Sequence, residues 1–244
     1  MTPTERAPEP WVRFEADHLL AVTKPAGVNT HRADAHAQDG MYEWVQRQRP
    51  HDALSILHRL DKGTSGLLLF GKTALANRSL SAQFERRAVH KEYELVVERD
   101  DARSQGMRCA EPIGRVVRGD TVDQPASTDF ELRAAGVALA RYRAVPHTGR
   151  THQVRVHAAA LGMPVLGDLE HGGASAPRLF LHAARLGIDH PTGGRVELTA
   201  HRPPTFDDVL ELEMSATVAP ALAAAAALES RTALFDPSDT SCYL

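Results

Sequence analysis

A run of four large apolar residues at positions 67–70, Leu-Leu-Leu-Phe, most limits what this chain can fold into. Gly66 and Gly71 flank the run. A short continuous apolar run bounded by glycines is typical of a β-strand that is buried on both faces. The chain must therefore place further structure on both sides of this strand, and its 244 residues, 43% of them hydrophobic, are enough for such a core.

Hairpin strands and interspersed helices are predicted around this run. Two short strands precede it from residue 11 onward, a helix is predicted from residue 73 to about residue 88, and residues 92–97 alternate between charged and apolar side chains. A further helix is predicted to begin at a Thr151 cap, and residues 99–128 are expected to form a long loop or small hairpin. The pattern indicates an α+β fold with one mixed, largely antiparallel sheet and packed helices.

One domain, over residues 11–215, is expected to carry the function. A disordered leader is predicted at residues 1–10, and an Ala-rich helix with a polar tail at residues 216–244. No apolar stretch approaches the roughly 20 residues of a membrane span, and the N-terminus has no apolar signal region, so we expect no membrane contact and a cytoplasmic location. Cys109 and Cys242 lie far apart in the sequence and predict neither a disulfide framework nor a cysteine zinc site.

The glycine-flanked run also matches the phosphate-loop pattern, because Gly66 and four residues are followed by Gly71, Lys72 and Thr73. That loop works by turning several backbone N–H groups toward phosphates. Three leucines and a phenylalanine would instead surround the charged ligand with large apolar side chains. The buried strand is therefore the favoured interpretation, and no nucleotide cofactor is expected.

Three evenly spaced histidines, His147, His152 and His157, raise the question of a metal site. A spacing of five residues turns a side chain by about 140° on a helix and reverses its face on a strand. Neither geometry gathers the three rings round one ion, so we expect no metal.

Basic residues are concentrated in two segments although the formal net charge of the chain is −3. Residues 141–160 contain four arginines, three histidines and no acidic residue. In residues 72–91 the basic side chains outnumber the single Glu85; they are Lys72, Arg78, Arg86, Arg87 and Lys91. Charge alone favours two solvated faces over a polyanion site.

Arg59 and Asp61 stand two residues apart in "HRLDKGTSG", immediately before the apolar run. In extended chain these two side chains point the same way, so a cation and a carboxylate are presented together. By itself this spacing is also typical of a weak surface ion pair.

Four separated motifs, in this order, resemble the RluA family of RNA pseudouridine synthases. They are "HRLDKGTSG", "KEYELVV", "TGRTHQVRVHAAALGMPVLGD" and "LFLHA" with the later "HP". The resemblance extends from about residue 24 to about residue 210. The resemblance covers no N-terminal S4-type RNA-binding domain, and we expect this sequence to have no room for one.

The resemblance implies the pseudouridine synthase fold with a central RNA-binding cleft. It also implies conversion of specific uridines in ribosomal or transfer RNA to pseudouridine, without a metal, nucleotide or redox cofactor. Asp61 would be the nucleophile, and the cationic Arg155 would keep it charged. Tyr93 would stack on the flipped base and accept the proton from C5.

The remaining roles follow from the same resemblance. Arg59 would fill the space left by the flipped base, Leu181 would line the uracil pocket, and His58 would support the Asp61 turn. Arg150 and Gln153, with Gly149, would shape the loop around Arg155.

The RNA partner is expected to be a structured stem-loop bound by a monomer. Arg141, Arg143 and Arg150 and the basic residues of segment 72–91 would contact phosphates, and residues 30–50 and 99–128 would select the RNA. The alternative is an RNA-binding assembly factor that keeps the fold without the catalysis.

Overall fold

The apolar run lies in a strand, Ser65–Gly71, whose seven residues are all buried. A computed structural model of the chain describes residues 11–34, 37–49, 53–101, 103, 105–117, 120–203, 205–206 and 209. The predicted leader, and the predicted Ala-rich helix and polar tail, lie outside the described residues.

Strands dominate the described residues, and three α-helices with complete bounds accompany them; Thr205, Phe206 and Val209 are also helical. In chain order the elements are β1 Val12–Glu15, β2 Leu19–Lys24, α1 Met41–Gln48, β3 Ser55–Ile56, β4 Ser65–Gly71, α2 Ala74–Glu85, β5 His90–Glu98, β6 Gly106–Cys109, β7 Ile113–Val117, β8 Asp120–Gln124, β9 Thr128–Ala135, β10 Leu139–Pro146, α3 Gln153–Ala160, a 3₁₀ helix Leu169–His171, β11 Leu181–Asp189 and β12 Arg195–Thr199.

Within the described residues, ten strands form one sheet in the order β1-β2-β4-β11-β5-β10-β9-β6, with β3 on β4 and β12 on β11. Strands β4 and β11 pair in parallel, and the other pairs of this sheet are antiparallel. Strands β7 and β8 form a separate hairpin. The predicted mixed, largely antiparallel sheet with packed helices is confirmed.

Strand β4 is buried on both faces because a helix covers each of them. Leu67 and Leu69 belong to an apolar cluster with Ala76 and Leu80 of α2. Leu68 and Phe70 belong to a second cluster, with Met41 and Val45 of α1. The continuous apolar run thus serves two core layers at once, which explains why it does not alternate.

The segment that matches the phosphate-loop pattern does not form a loop that could surround a phosphate. Its central residues are strand β4, and Lys72 Nζ forms an ion pair with Glu15 at 2.9 Å. Thr73 Oγ1 caps α2 by accepting from the N–H of Ala76 at 3.2 Å. The strand interpretation is therefore confirmed.

The parallel pairing of β4 with β11 brings distant segments together at the centre of the sheet. Ala183 of β11 lies opposite Gly66 on one side and opposite Tyr93 of β5 on the other. Gly66 has φ +116°, and a Cβ at this position would lie 2.3 Å from the carbonyl oxygen of Ala183. The close approach of the two strands beside the Asp61 turn thus requires glycine.

Two boundaries differ from the sequence prediction. Helix α2 ends at Glu85 rather than near residue 88. Helix α3 begins at Gln153, and its N-cap is His152, with the left-handed φ of +53°, so the prediction of a Thr151 cap is wrong. The cause is local: the Gln153 side chain accepts a hydrogen bond from the N–H of Arg150 at 3.0 Å, which turns the preceding loop back on the helix start.

The middle of the chain is more regular than expected. Residues 99–128 contain β6 and the β7–β8 hairpin, and β9 begins at Thr128. A small hairpin was one of the two predicted forms. The longest described helix has 12 residues, and no helix of the described residues has the length and apolar character to cross a membrane.

Candidate active site

All eight predicted site residues line one cleft of about 890 Å³. They are His58, Arg59, Asp61, Tyr93, Arg150, Gln153, Arg155 and Leu181. They come from the turn before β4, from β5, from the loop and helix after β10, and from the start of β11. Asp61 and Arg155 also line a second cavity of about 730 Å³, so Asp61 lies where the two cavities meet.

The backbone of the Asp61 turn is held from the protein side. Thr30 Oγ1 donates a hydrogen bond to the carbonyl of Leu60 at 2.9 Å and accepts one from its N–H at 3.0 Å. On the other side of Asp61, the carbonyl of Lys62 accepts from the N–H of Gly27 at 2.8 Å and from Lys24 Nζ at 3.2 Å. Residues on both sides of Asp61 are thus fixed to the segment that follows β2.

Lys24 is fully buried and lies beneath this turn. Its ammonium also donates to the carbonyls of Pro25 and Val28, at 2.9 and 2.6 Å. Burial, and then the positive charge of Arg178, lower the pKa of Lys24 to about 7, while the charge of Asp61 opposes them. Three carbonyl acceptors compensate the burial of this amine.

Arg155 is oriented by carboxylates on its protein side. Its Nε and Nη2 donate to the two oxygens of the fully buried Asp168 carboxylate at 2.7 and 2.6 Å, and Nη2 also donates to Glu170 at 2.8 Å. Nη1 lies 3.5 Å from Asp61 Oδ2. Burial lowers the pKa of Arg155, but the hydrogen bonds with Asp168 and Glu170 outweigh it and raise the pKa above its usual value. A permanent positive charge therefore faces Asp61.

Two residues of this group were not predicted as site residues. His152 Nε2 lies 3.8 Å from Asp61 Oδ1, and Asp168 orients Arg155. Both stand inside the quoted motif "TGRTHQVRVHAAALGMPVLGD", His152 three residues before Arg155 and Asp168 at its end. An aspartate at the end of so apolar a stretch is the signal that could have identified Asp168.

Tyr93 is partly buried on the face of β5 that packs against α3. Burial, and secondarily the negative charge of Asp61, raise the pKa of Tyr93 well above its usual value. The hydroxyl therefore keeps its proton near neutral pH. Tyr93 and Asp61 line the same cleft, and the negative charge of Asp61 is the second cause of this higher pKa.

His58 and Gln153 support the walls of the cleft. His58 Nε2 accepts a hydrogen bond from the N–H of Leu69 at 3.0 Å, and burial lowers the pKa of His58 to about 3, so the ring is neutral. Gln153 is buried and donates to the carbonyl of Ser127 and to Thr128 Oγ1, at 2.9 and 3.0 Å. Gln153 thereby joins the loop before α3 to the start of β9.

The cleft rim is basic, although not every predicted cation reaches it. Arg59 and Arg87 are exposed, line the cleft and make no ion pair with any described residue. Lys91 also lines it and donates to the carbonyl of Thr148 at 2.9 Å, and burial lowers the pKa of Lys91 to about 8. Arg143 lies on the opposite face of the sheet from Tyr93, where its Nε donates to Glu92 at 2.9 Å.

The three evenly spaced histidines are not gathered round one point. His147 contacts Asp129 at 2.7 Å, and His157 is buried between Thr128 Oγ1 and the carbonyl of Glu111, at 2.8 and 2.9 Å. Only His152 of the three lies beside Asp61. The three histidines thus have separate partners in the structure.

Comparison with known proteins identifies the family of this chain. Residues 18–160, more than half of the chain, match the family model for RNA pseudouridylate synthases. The dual-specificity RNA pseudouridine synthase RluA of Vibrio vulnificus is 37% identical over 204 residues, which cover 75% of this chain and 80% of the relative. The chain belongs to the RNA pseudouridylate synthase family.

Further relatives of this family support the assignment. The ribosomal large subunit pseudouridine synthase C of Escherichia coli K12 is 33% identical over 76% of this chain, and the match spans 64% of that longer protein. The solved structure of human RNA pseudouridylate synthase domain containing 1 has a TM-score of 0.67 at 28% identity, covering 79% of this chain and 83% of the human one. The family, fold and isomerase class predicted from the motifs are thus confirmed.

Proposed function

We propose that this protein isomerises specific uridines to pseudouridine in a structured ribosomal or transfer RNA, with Asp61 as the nucleophile. The observation that carries the proposal is the position of the Asp61 carboxylate, 3.5 Å from the oriented guanidinium of Arg155 in a cleft that Tyr93 also lines. A nucleophilic carboxylate must be ionised, and a fixed cation beside it favours that form.

Substrate entry requires the target base to leave its stack. Unstacking costs a few kcal/mol, which protein groups that fill the vacated space can offset. Arg59 stands two residues before Asp61, is exposed and has no ion pair within the described residues, so its guanidinium is available to stack in the RNA. Arg59 therefore holds the helix open while the flipped uridine enters the cleft.

The reaction exchanges one glycosidic bond for another. The bond between C1′ and N1 breaks, uracil turns, and a bond forms between C1′ and C5; C5 then loses a proton and N1 gains one. Where Asp61 attacks C1′ or C6, the bond that it forms is broken again before the product leaves; where it abstracts a proton, that proton is returned, so the carboxylate is regenerated in each case. Attack at C1′, attack at C6 and proton abstraction that leads to a glycal-like intermediate all require these same side chains.

Tyr93 is proposed to stack on uracil and to accept the C5 proton. Because the hydroxyl is protonated near neutral pH, its oxygen takes the C5 proton as its own proton passes to solvent, and solvent returns a proton to N1. Leu181 is 2% exposed on β11 and supplies an apolar surface on the cleft wall for the base.

The proposed substrate is a stem-loop, and the proposed acting species is a monomer. The printed names of two relatives, a dual-specificity RNA pseudouridine synthase and a ribosomal large subunit synthase, support ribosomal or transfer RNA as the class. The exposed cations at the rim suit the phosphates around a flipped base.

The test is pseudouridine mapping of total RNA from cells that lack the protein. The cells are complemented with wild type, with Asp61→Asn, or with Asp189→Asn as a matched control, since Asp189 pairs with Arg195 away from the cleft. We expect one or a few sites to disappear and to return with wild type and the control but not with Asp61→Asn. If no site disappears, and wild type and Asp61→Asn bind RNA equally, the protein is the assembly factor instead.

A further inference from the structure

Three metal-ligating side chains lie together beside the candidate nucleophile. His152 precedes α3, while Glu170 and His171 lie in the 3₁₀ helix that follows Asp168. One ligand atom from each of the three lies within 4.8 Å of the other two. His152 and Glu170 line the second cavity, next to Asp61.

The distances suit a tetrahedral ion. Bonds of 2.0–2.1 Å to nitrogen and oxygen place the ligand atoms of tetrahedral zinc about 3.4 Å apart. His152 Nδ1 and Glu170 Oε1 are separated by 3.4 Å. The ring of His171 meets that of His152 edge to face, with centroids 5.5 Å apart. Two ligand atoms are therefore already spaced for coordination, and the third side chain adjoins them.

His171 also has unused binding capacity. Its Nε2 is buried and has no hydrogen-bond partner among the described residues. A buried polar atom without a partner is unfavourable, and such atoms call for a specific explanation. Coordination of a cation, directly or after rotation of the ring, gives this imidazole a partner that the protein alone does not supply.

The local charge also favours a cation. Asp61, Asp168 and Glu170 surround the single guanidinium of Arg155, at 3.5, 2.6 and 2.8 Å. Two of these carboxylates, Asp61 and Glu170, also lie beside the ring of His152, at 3.8 and 3.4 Å. Glu170 Oε2 binds Arg155, whereas Oε1 faces His152, so one oxygen remains for a metal.

We propose that His152, Glu170 and His171 bind a first-row divalent metal ion such as Zn²⁺. Two imidazoles and one carboxylate are ligands that zinc and its neighbours prefer, and water completes the coordination. The evenly spaced histidines in the sequence gave no sign of this site, because Glu170 and His171 come from a different segment. The bound ion blocks the second cavity, lies beside Asp61 and inhibits the enzyme; this last part rests on the proposed function.

The binding test uses Zn²⁺ in calorimetry and Co²⁺ in visible spectroscopy on the full chain. We compare wild type with His171→Phe, which keeps an aromatic ring without the ligand, and with Glu170→Gln. His190→Phe is the control, because that histidine contacts Thr192 in a distant turn. We expect one ion per chain, cobalt ligand-field bands, and affinity weakened about tenfold or more in both cluster variants but not in the control. Equal affinity in all four proteins, or no binding to wild type, would overturn the proposal.

The inhibition test separates this inference from the proposed function. Conversion of the mapped RNA is measured with chelator and with added Zn²⁺. We expect Zn²⁺ to inhibit wild type and the control, and to inhibit His171→Phe only at about tenfold higher concentration or more. If wild type has no activity even with chelator, the proposed function fails while the binding result stands. If the metal-bound enzyme is fully active, the inhibitory role is wrong.

Discussion

Arg155 and Arg59 differ in how far the protein fixes their side chains in this cleft. Asp168 and Glu170 occupy two of its nitrogens, and the third faces Asp61. The guanidinium is therefore positioned before any substrate arrives, so little reorganisation is needed when charge changes on Asp61. Arg59 is the opposite case, because no described residue pairs with it and its conformation is left for the RNA to define.

This contrast predicts the behaviour of Arg59→Ala. We expect turnover of a stem-loop substrate to fall about tenfold or more, because the variant loses the group that is proposed to offset unstacking. A single-stranded substrate should lose much less, and the melting temperature should not change. Single-turnover kinetics on the two RNAs checks this. Arg133→Ala, which removes an exposed ion pair with Glu131, is the control; an equal loss on both RNAs would contradict the role of Arg59.

Strand β5 packs against α3 and the cleft with one face, and its other face forms an ion pair with β10. Tyr93, Leu95 and Val97 face α3 and the cleft side, while Glu92 lies on the other face with Arg143. The hydrogen bonds from Arg143, opposed by burial and assisted by His90, lower the pKa of Glu92 to about 2. This pair links neighbouring strands on the side away from the substrate.

A pH-dependent contribution to stability follows from this cross-strand pair. Because the folded pKa of Glu92 is depressed, its contribution is present above the unfolded value of 4.5 and is lost as pH falls toward about 2. We expect Glu92→Gln to lower the free energy of unfolding by about 1–3 kcal/mol at pH 7, and the difference to shrink below pH 4.5. Urea titrations at several pH values measure it.

The control for this prediction is Glu98→Gln, at the exposed end of the same strand. This variant should follow the wild-type curve throughout. A Glu92→Gln difference that stays constant from pH 7 to pH 3 would show that the pair does not act through ionisation.

Much of this arrangement was predictable from local pattern, and the rest depended on long-range pairing. Alternation placed Tyr93 on the face that proved to line the cleft, and the apolar run identified β4 as buried. The Thr151 cap was wrong because the Gln153 side chain binds the preceding loop, a contact that no cap preference encodes. Asp168 and His152 were missed because the motif does not show which of its polar residues turn toward Asp61.

At the scale of the whole molecule, charge is distributed unequally between the two sides of the sheet. The chain has a formal net charge of −3, yet Arg59, Arg87, Lys91 and Arg150 line the cleft. On the reverse face, Arg143 is neutralised by Glu92. A polyanion is therefore attracted by a local field rather than by the net charge.

RNA affinity should accordingly depend on salt concentration, because the basic residues at the cleft rim are proposed to bind phosphates. We expect a plot of log affinity against log salt to have a negative slope, and Arg87→Gln to reduce its magnitude by about 0.7–0.9, the effect of one phosphate contact. Arg195→Gln should leave the slope unchanged, because Arg195 pairs with Asp189 and Glu197 outside the cleft. Fluorescence anisotropy at several salt concentrations provides the measurement. A slope near zero in the wild type would contradict the electrostatic role.

The clamped Asp61 turn determines which partner deforms during recognition. Thr30 binds both the N–H and the carbonyl of Leu60, and Gly27 and Lys24 bind the carbonyl of Lys62, so the proposed nucleophile stands on backbone that is already fixed. The conformational entropy of this loop is lost when the protein folds, so binding of RNA does not have to order the loop again. If Asp61 acts as proposed, the RNA rather than the protein must change conformation in each catalytic cycle, and we expect uridines in the most easily distorted loops to be the preferred targets.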